Sequence, residues 1–320
     1  MRKAFVQALV ELALAERHPR ILLLTGDLGY TVLEPFAETY PDRFFNVGVA
    51  EQNLVGLATG LAEAGFIPFV YSIATFASLR PYEFIRNGPV LHRLPVRVVG
   101  VGEGFGYGCA GPTHHALEDL GVTRIQPGLT VIAPADAQQA RAAIHATKDL
   151  PGPVYFRLGK DEKPLVPGLE GRFELGRAVC LREGQDLLLI AAGSVAREVV
   201  AAADMLSARG VRSSVLLVST LNPPPVEDLK AALAGHRVAL TVEAHYVVGG
   251  LGSLVCEVAA ENGLSCRVVR CGVWSAPDGA SGSQDYYYRR HGLSRGAIME
   301  AALRELRKPS SGRGKRLGRR

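Results

Sequence analysis

The sequence alternates between short apolar runs of strand length and longer segments in which apolar residues recur at helical spacing. In chain order the clearest apolar runs are "ILLLT", "IPFVYSI", "VRVVGV", "VYFRL", "DLLLIAA", "SVLLV" and "VALTV". Continuous apolar strands separated by helices are typical of a parallel sheet that is covered by helices on both faces. The alternation therefore predicts an α/β fold with doubly wound, mainly parallel sheets.

A polar segment rich in Pro and Gly divides this alternation into two halves. Residues 161–175, "DEKPLVPGLEGRFEL", are predicted to form an interdomain linker. The first domain is then expected at residues 1–160 and the second at residues 176–306. Residues 307–320 carry seven Lys or Arg side chains and no acid, and their Gly and Ser content predicts a basic, disordered tail.

The net charge of +5 belongs to this tail rather than to the body of the chain. Of the 36 Lys and Arg residues, 29 remain once the tail is removed, against 31 Asp and Glu residues. That balance offers no basic stripe of the kind that nucleic-acid binding requires. No apolar run is long enough to span a bilayer, and Glu11 and Glu16 interrupt the place where a signal peptide needs an apolar core. We therefore expect a cytoplasmic protein that binds neither nucleic acid nor membranes.

One carboxylate stands at the start of a predicted helix in "FNVGVAEQNLVGLATG", residues 45–60. Leu54, Val55 and Leu57 set the helical spacing, and Gly56 and Gly60, four residues apart, lie on one side where another backbone could approach closely. Glu51 is the only acid of this segment. It is either a carboxylate that interacts favourably with the helix dipole or a functional group in an apolar setting.

Three patches of the first half, one of them this segment itself, decide between these interpretations together with smaller ones. The segments "GVAEQN", "SIATFASLRPYEFIRN" and "GCAGPTHHALED" occur together with "TGDLG", "VIAPAD" and "TVEAHYVVGGLGS". In this combination the chain resembles the second half of transketolases, from Arg2 to about Leu306. The resemblance implies a domain that binds the aminopyrimidine of thiamine diphosphate, followed by the transketolase C-terminal domain. It also implies transfer of a two-carbon ketol unit from a ketose to an aldose, with the cofactor doing the difficult chemistry.

The resemblance assigns cofactor contacts to five positions. Glu51 matches the catalytic carboxyl that hydrogen-bonds the aminopyrimidine, and Phe76 matches the aromatic residue that stacks on that ring. Tyr82 and Leu79 fall where the family lines the pocket, although Leu79 replaces an aromatic residue. Asp27 resembles an Asp near the thiazolium. The structural alternatives are a core side chain for Phe76 and a loop-capping carboxylate for Asp27.

The resemblance also implies a site for the sugar. His114 in "GPTHH" matches a His that contacts the substrate and can exchange protons near neutral pH. Arg157 and Arg2 match positions that bind the phosphate of a sugar phosphate, a role that suits the guanidinium, although either could form a structural salt bridge instead. Two departures, Ala110 in place of an Asp and Gly102 in place of a His, leave the donor and acceptor sugars open.

The chain lacks one motif that a complete enzyme of this kind needs. The "GDG" segment followed by Asn-Asn, which carries Mg²⁺ and the diphosphate, is absent from the sequence. We therefore expect no metal ligand in this chain and predict a partner, an N-terminal-half transketolase subunit, that supplies Mg²⁺ binding in an (αβ)₂ assembly. Two alternatives within the superfamily are a deoxyxylulose-phosphate-synthase-like enzyme and a beta-type subunit of a 2-oxoacid dehydrogenase. A non-catalytic regulatory or scaffold paralogue is an alternative of another class.

Overall fold

The computed structural model describes residues 1–15, 20–160 and 165–308. Its strands are β1 (Ile21–Thr25), β2 (Phe44–Asn46), β3 (Ile67–Ile73), β4 (Arg97–Val101), β5 (Thr130–Ile132), β6 (Val154–Leu158), β7 (Ala178–Arg182), β8 (Leu187–Ala191), β9 (Ser213–Val218), β10 (Thr220–Asn222), β11 (Val238–Tyr246) and β12 (Arg267–Val273). Its α-helices are α1 (Arg2–Ala15), α2 (Glu34–Thr39), α3 (Glu51–Glu63), α4 (Ala74–Leu79), α5 (Tyr82–Ile85), α6 (Asp119–Arg124), α7 (Ala137–Thr147), α8 (Ala196–Ser207), α9 (Val226–Ala234), α10 (Leu251–Glu261), α11 (Gln284–Arg290) and α12 (Arg295–Arg307). Residues 309–320, which contain most of the predicted disordered tail, lie outside the described residues.

The first sheet has the strand order β10-β5-β6-β4-β3-β1-β2, and all of its neighbouring pairs are parallel except β10 with β5. Helices cover both faces, as the continuous apolar strands predict. Leu23 of β1 packs in the core that α1 and α7 complete, whereas Leu22 and Leu24 pack in the core that α3 completes. Successive side chains of a strand point to opposite faces, so a fully apolar strand serves two cores at once.

The second sheet has the order β12-β11-β8-β9-β7, with β7 as an antiparallel edge strand. Its faces are again both covered. Leu187 and Leu189 of β8 pack with α8 and α12, whereas Leu188 and Ile190 pack with α9 and α10. The fold prediction of two doubly wound, mainly parallel α/β units is confirmed by these two sheets.

The two halves are joined more closely than an open linker would allow. Strand β10 comes from the second half but pairs with β5 at the edge of the first sheet. Residues 165–175, the described part of the predicted linker, are packed against the body of the chain, with Val166 and Leu169 buried. The Val166 amide donates to Oδ2 of Asp136 across 2.9 Å. Among the described residues, no helix is long and apolar enough to cross a membrane.

Candidate active site

Glu51 is the first residue of α3, and its carboxylate is buried between three elements of the first sheet. The Glu51 side chain is 2% exposed. The Ser72 hydroxyl, on β3, donates to Oε1 of Glu51 across 3.0 Å. The loop after β1 passes so close that a side-chain carbon at Gly26 would lie 3.7 Å from the same oxygen. The site therefore lies at the carboxyl edge of the parallel sheet, where α/β proteins build their binding sites.

Phe76 lies on α4, which begins directly after β3, rather than on the strand itself. Its ring is half-buried. Arg80 follows four residues later, so its side chain reaches back over the Phe76 ring. The guanidinium carbon lies 3.9 Å from the ring centroid, and Nη1 donates to Oε2 of Glu51 across 2.8 Å. A flat cationic group is thus held between the aromatic face and the buried carboxylate.

His114 is next to Phe76 in the site. The two rings meet edge to face, with centroids 5.1 Å apart and an interplanar angle of 66°. The Thr113 hydroxyl lies 2.9 Å from Nδ1 of His114, so one ring nitrogen has a hydrogen-bond partner. Gly111 begins this short helical turn with φ of +83°, a conformation that favours glycine. Glu51, Phe76 and His114 are therefore brought together, as their assignments to one site require.

A group of cations lies beyond His114. The Tyr107 ring centroid is 6.4 Å from that of His114, and the Lys160 ammonium lies 4.6 Å from the Tyr107 centroid. Arg2 donates from Nε to the Lys160 carbonyl across 3.2 Å. Burial raises the pKa of the Tyr107 phenol, and the neighbouring Arg2 guanidinium opposes that rise. The predicted residue Arg2 therefore lies at the far end of one continuous row from Glu51.

Three predicted cofactor residues lie around this row. Asp27 follows β1 and is exposed, and hydrogen bonds from Tyr30 and then from Asn46 lower the pKa of its carboxyl. Leu79, at the end of α4, is 40% exposed and offers an apolar surface next to Arg80. The Tyr82 hydroxyl lies 3.5 Å from Oε1 of Gln126, on the side of a neighbouring loop.

The prediction that Arg157 binds a substrate phosphate is corrected by its position. Arg157 lies on β6 with no exposed surface. Its Nε donates to Oδ2 of Asp119 across 2.8 Å, and Nη2 donates to the carbonyls of Ala116 and Ala244 at 2.8 and 3.0 Å. Glu103 lies 3.4 Å from Nη1. Because these buried partners surround the guanidinium, Arg157 is a structural residue of the interior.

Sequence reasoning missed three side chains of the site. Arg80 had a local signal, since it follows Phe76 by one helical turn within a segment already singled out. Tyr107 and Lys160 had none, because they contact each other from segments that are distant in the chain. Within residues 1–15, 20–160 and 165–308, no group of three or more His, Cys, Asp or Glu side chains is arranged to hold a metal ion.

Comparison with known proteins agrees with this fold. Residues 1–164 match the family described as transketolase, pyrimidine binding domain, and residues 176–298 match the transketolase C-terminal domain. The chain therefore belongs to the transketolase family, and the predicted resemblance is confirmed.

Relatives of similar length carry related names. The chain is 35% identical to a putative transketolase C-terminal section of Methanocaldococcus jannaschii over 311 residues, which is 96% of each chain. It is 34% identical over 311 residues to one of the subunits of an apulose-4-phosphate transketolase of Phocaeicola vulgatus, covering 96% of this chain and 97% of that one. A solved split-gene transketolase, described as an inactive beta4 tetramer, superposes with a TM-score of 0.85 at 37% identity, covering 95% of this chain and 97% of that chain.

Proposed function

We propose that this chain is the C-terminal-half subunit of a split transketolase that uses thiamine diphosphate. Together with an N-terminal-half subunit it transfers a two-carbon ketol unit from a ketose to an aldose. The observation that carries the proposal is the arrangement of Glu51 and Phe76. A buried carboxylate and a half-buried aromatic face lie on either side of a space that already holds a planar N–H donor, the Arg80 guanidinium.

That space fits the aminopyrimidine in shape and chemistry. When bound, thiamine diphosphate supplies the electron sink that allows a carbon–carbon bond of the ketose to break. Phe76 would contact the ring face, and Oε2 of Glu51 would share a proton with a ring nitrogen. Leu79 would add an apolar wall to the pocket. Asp27, on the loop that passes Glu51, would lie near the thiazolium of the cofactor. Tyr82 would line the pocket with its ring, with its hydroxyl 3.5 Å from Oε1 of Gln126.

His114 and the cations beyond it form the proposed sugar site. His114 would exchange protons with sugar oxygens, since an imidazole can both donate and accept near neutral pH. At the end of the row, Lys160 and Arg2 would bind the phosphate of a sugar phosphate. Lys160 takes the role first given to Arg157, because the Arg157 guanidinium is enclosed by buried partners whereas Lys160 is only half-buried.

The partner subunit is proposed to supply the ligands of Mg²⁺ and the diphosphate. Exposed apolar residues lie on and beside the Glu51 helix, including Leu57 of α3 at 44% and Phe84 of α5 at 43% exposure. Gly56 and Gly60, on the exposed side of α3, would let the other chain approach its backbone. Two such pairs joined by two-fold symmetry would give an (αβ)₂ enzyme.

The test is reconstitution. The purified chain would be mixed with an N-terminal-half transketolase subunit, and Mg²⁺-dependent thiamine diphosphate binding would be followed by calorimetry together with ketol transfer. We expect both properties in the mixture and neither in the isolated chain. Tight cofactor binding by this chain alone would contradict the split-site proposal.

Other products would identify the alternatives. Condensation of pyruvate with a triose phosphate would indicate a deoxyxylulose-phosphate-synthase-like enzyme, and decarboxylation with acyl transfer would indicate a 2-oxoacid dehydrogenase subunit. A mixture that assembles and binds no thiamine diphosphate would indicate a scaffold paralogue.

A further inference from the structure

Arg80 reaches from the surface of the protein to the buried carboxylate of Glu51. Its side chain is 41% exposed, whereas the Glu51 carboxylate with which it pairs is 2% exposed. The guanidinium is a planar group with N–H donors on its edge and a delocalised face. Here the edge contacts Oε2 of Glu51 at 2.8 Å, and the face lies over Phe76 at 3.9 Å from its centroid.

These are the two contacts that the proposed function gives to the aminopyrimidine. That ring is also planar, would lie against Phe76 and would form a hydrogen bond with Glu51. Resting on that proposed function, we infer that Arg80 is a built-in occupant of the pyrimidine position. Its guanidinium fills the space when the cofactor is absent and must leave when the cofactor binds.

The contacts of Arg80 stabilise the buried Glu51 carboxylate when no cofactor is bound. A buried carboxylate without partners is costly, and Ser72 donates to Oε1 of Glu51 rather than to Oε2. Arg80 satisfies Oε2 and gains a cation–π contact with Phe76. The free chain is thereby stabilised with its catalytic carboxylate neutralised, before any partner or cofactor arrives.

The position of Arg80 also allows it to leave. It follows the last residue of α4, and its side chain is partly in water. A guanidinium on a flexible apolar stem can move outwards and keep its charge hydrated. The cofactor then binds only to molecules in which Arg80 has moved, so its apparent affinity is reduced by the fraction of such molecules.

The experiment compares Arg80→Met with a matched control, Arg290→Met. Arg290 likewise lies four residues after an aromatic residue, over the Tyr286 ring at 5.9 Å, and it pairs with the carboxylate of Asp278. Both variants would be assembled with the N-terminal-half subunit, and the dissociation constant of thiamine diphosphate would be measured by calorimetry at saturating Mg²⁺. We expect R80M to tighten binding about tenfold, since release of the occupant raises the competent fraction. R290M should leave binding unchanged.

A second measurement needs neither partner nor cofactor. In urea unfolding of the full chain, R80M should lower the midpoint, and this effect should shrink when Glu51→Gln is also present, because the two side chains act as a pair. Full additivity of R80M and E51Q would overturn the inference.

The outcomes of the binding experiment separate the two proposals. Unchanged or weaker cofactor binding by R80M, with normal binding by the wild-type complex, would overturn the role of Arg80 and leave the proposed function standing. A wild-type complex that binds no thiamine diphosphate would refute the proposed function, and the inference with it.

Discussion

Arg157 and Asp119 form an ion pair inside the protein, with Nε of the guanidinium 2.8 Å from Oδ2 of the carboxylate. Both side chains are almost without exposed surface. Tyr155 donates its hydroxyl to the same oxygen across 2.8 Å, and the Arg157 guanidinium also reaches the Ala244 carbonyl from the second half of the chain. This network fixes the end of β6 to the neighbouring domain.

Arg157→Met should therefore act on folding rather than on substrate binding. Removing one partner of a buried ion pair leaves an uncompensated charge, which costs about 3–5 kcal/mol of unfolding free energy. Arg177→Met is the control, because the Arg177 side chain is 57% exposed in its pair with Asp228, and ion pairs at the surface are worth roughly 0–1 kcal/mol. Urea unfolding of both variants gives the comparison. An R157M protein of normal stability with a raised KM for phosphorylated sugars would restore the phosphate role.

Glu51→Gln should reduce activity far more than stability. The amide keeps the shape, but its single carbonyl oxygen accepts from either Ser72 or Arg80 and not from both, and it cannot share a proton with the cofactor. Since acid–base contributions are typically about 10²–10⁴-fold, we expect a loss of kcat in that range for the assembled enzyme.

Glu63→Gln, at the other end of the same helix, is the matched control, because Glu63 is exposed and distant from the site. Both variants would be assayed with the same partner preparation, and thermal unfolding would be recorded alongside. A loss of less than about threefold for E51Q would remove Glu51 from the chemistry.

Lys160→Met tests the proposed phosphate site. Loss of a charged hydrogen bond is worth about 1.5–3 kcal/mol, so KM for a sugar phosphate should rise roughly tenfold or more. The kcat value should change little, as expected for a lost binding contact. Lys230→Met serves as the control, because Lys230 pairs with Glu227 on the exposed side of α9. Equal effects on phosphorylated and unphosphorylated sugars would count against phosphate recognition by Lys160.

The pH dependence of stability should report on a histidine cluster outside the site. His115 and His291 pack around Phe105, and burial lowers the pKa of each imidazole below its ordinary value of 6.5. The unfolded chain therefore binds protons that the folded chain excludes. Stability should be complete above about pH 6.5 and should fall as the pH drops below it.

His291→Phe should make that fall shallower, because the phenyl ring keeps the contact with Phe105 and cannot take up a proton. Unfolding free energies measured from about pH 7.5 to 5 would show the slope. His92→Gln, at an exposed position, should leave the slope unchanged. An identical slope for H291F and the wild-type chain would remove His291 from the linkage.

The strands and the helix of Glu51 were predictable because their signals are local. An apolar run that is buried on both faces has the same appearance wherever it lies in the sheet, and α3 begins at Glu51 as its spacing indicates. Strand β10 was missed because three residues, "TLN", carry no periodic pattern.

The contacts of individual side chains were harder to predict, because their partners are distant in sequence. Arg157 pairs with Asp119, 38 positions away, and contacts Ala244, 87 positions away. The segment "VYFRLG" does not contain that information. The roles of Tyr107 and Lys160 depend likewise on which loops meet at one edge of the sheet.

Strand β10 has a consequence for how the chain acquires its fold during synthesis. The outer edge of the first sheet is formed by residues 220–222, although its other strands end at residue 158. A ribosome that has released only the first 160 residues therefore exposes β5 as an open edge, a position at which unwanted strand pairing occurs. That edge is closed only after residues 220–222 have also emerged. A gene divided between the two family domains of this chain would leave that edge open until the two products associated.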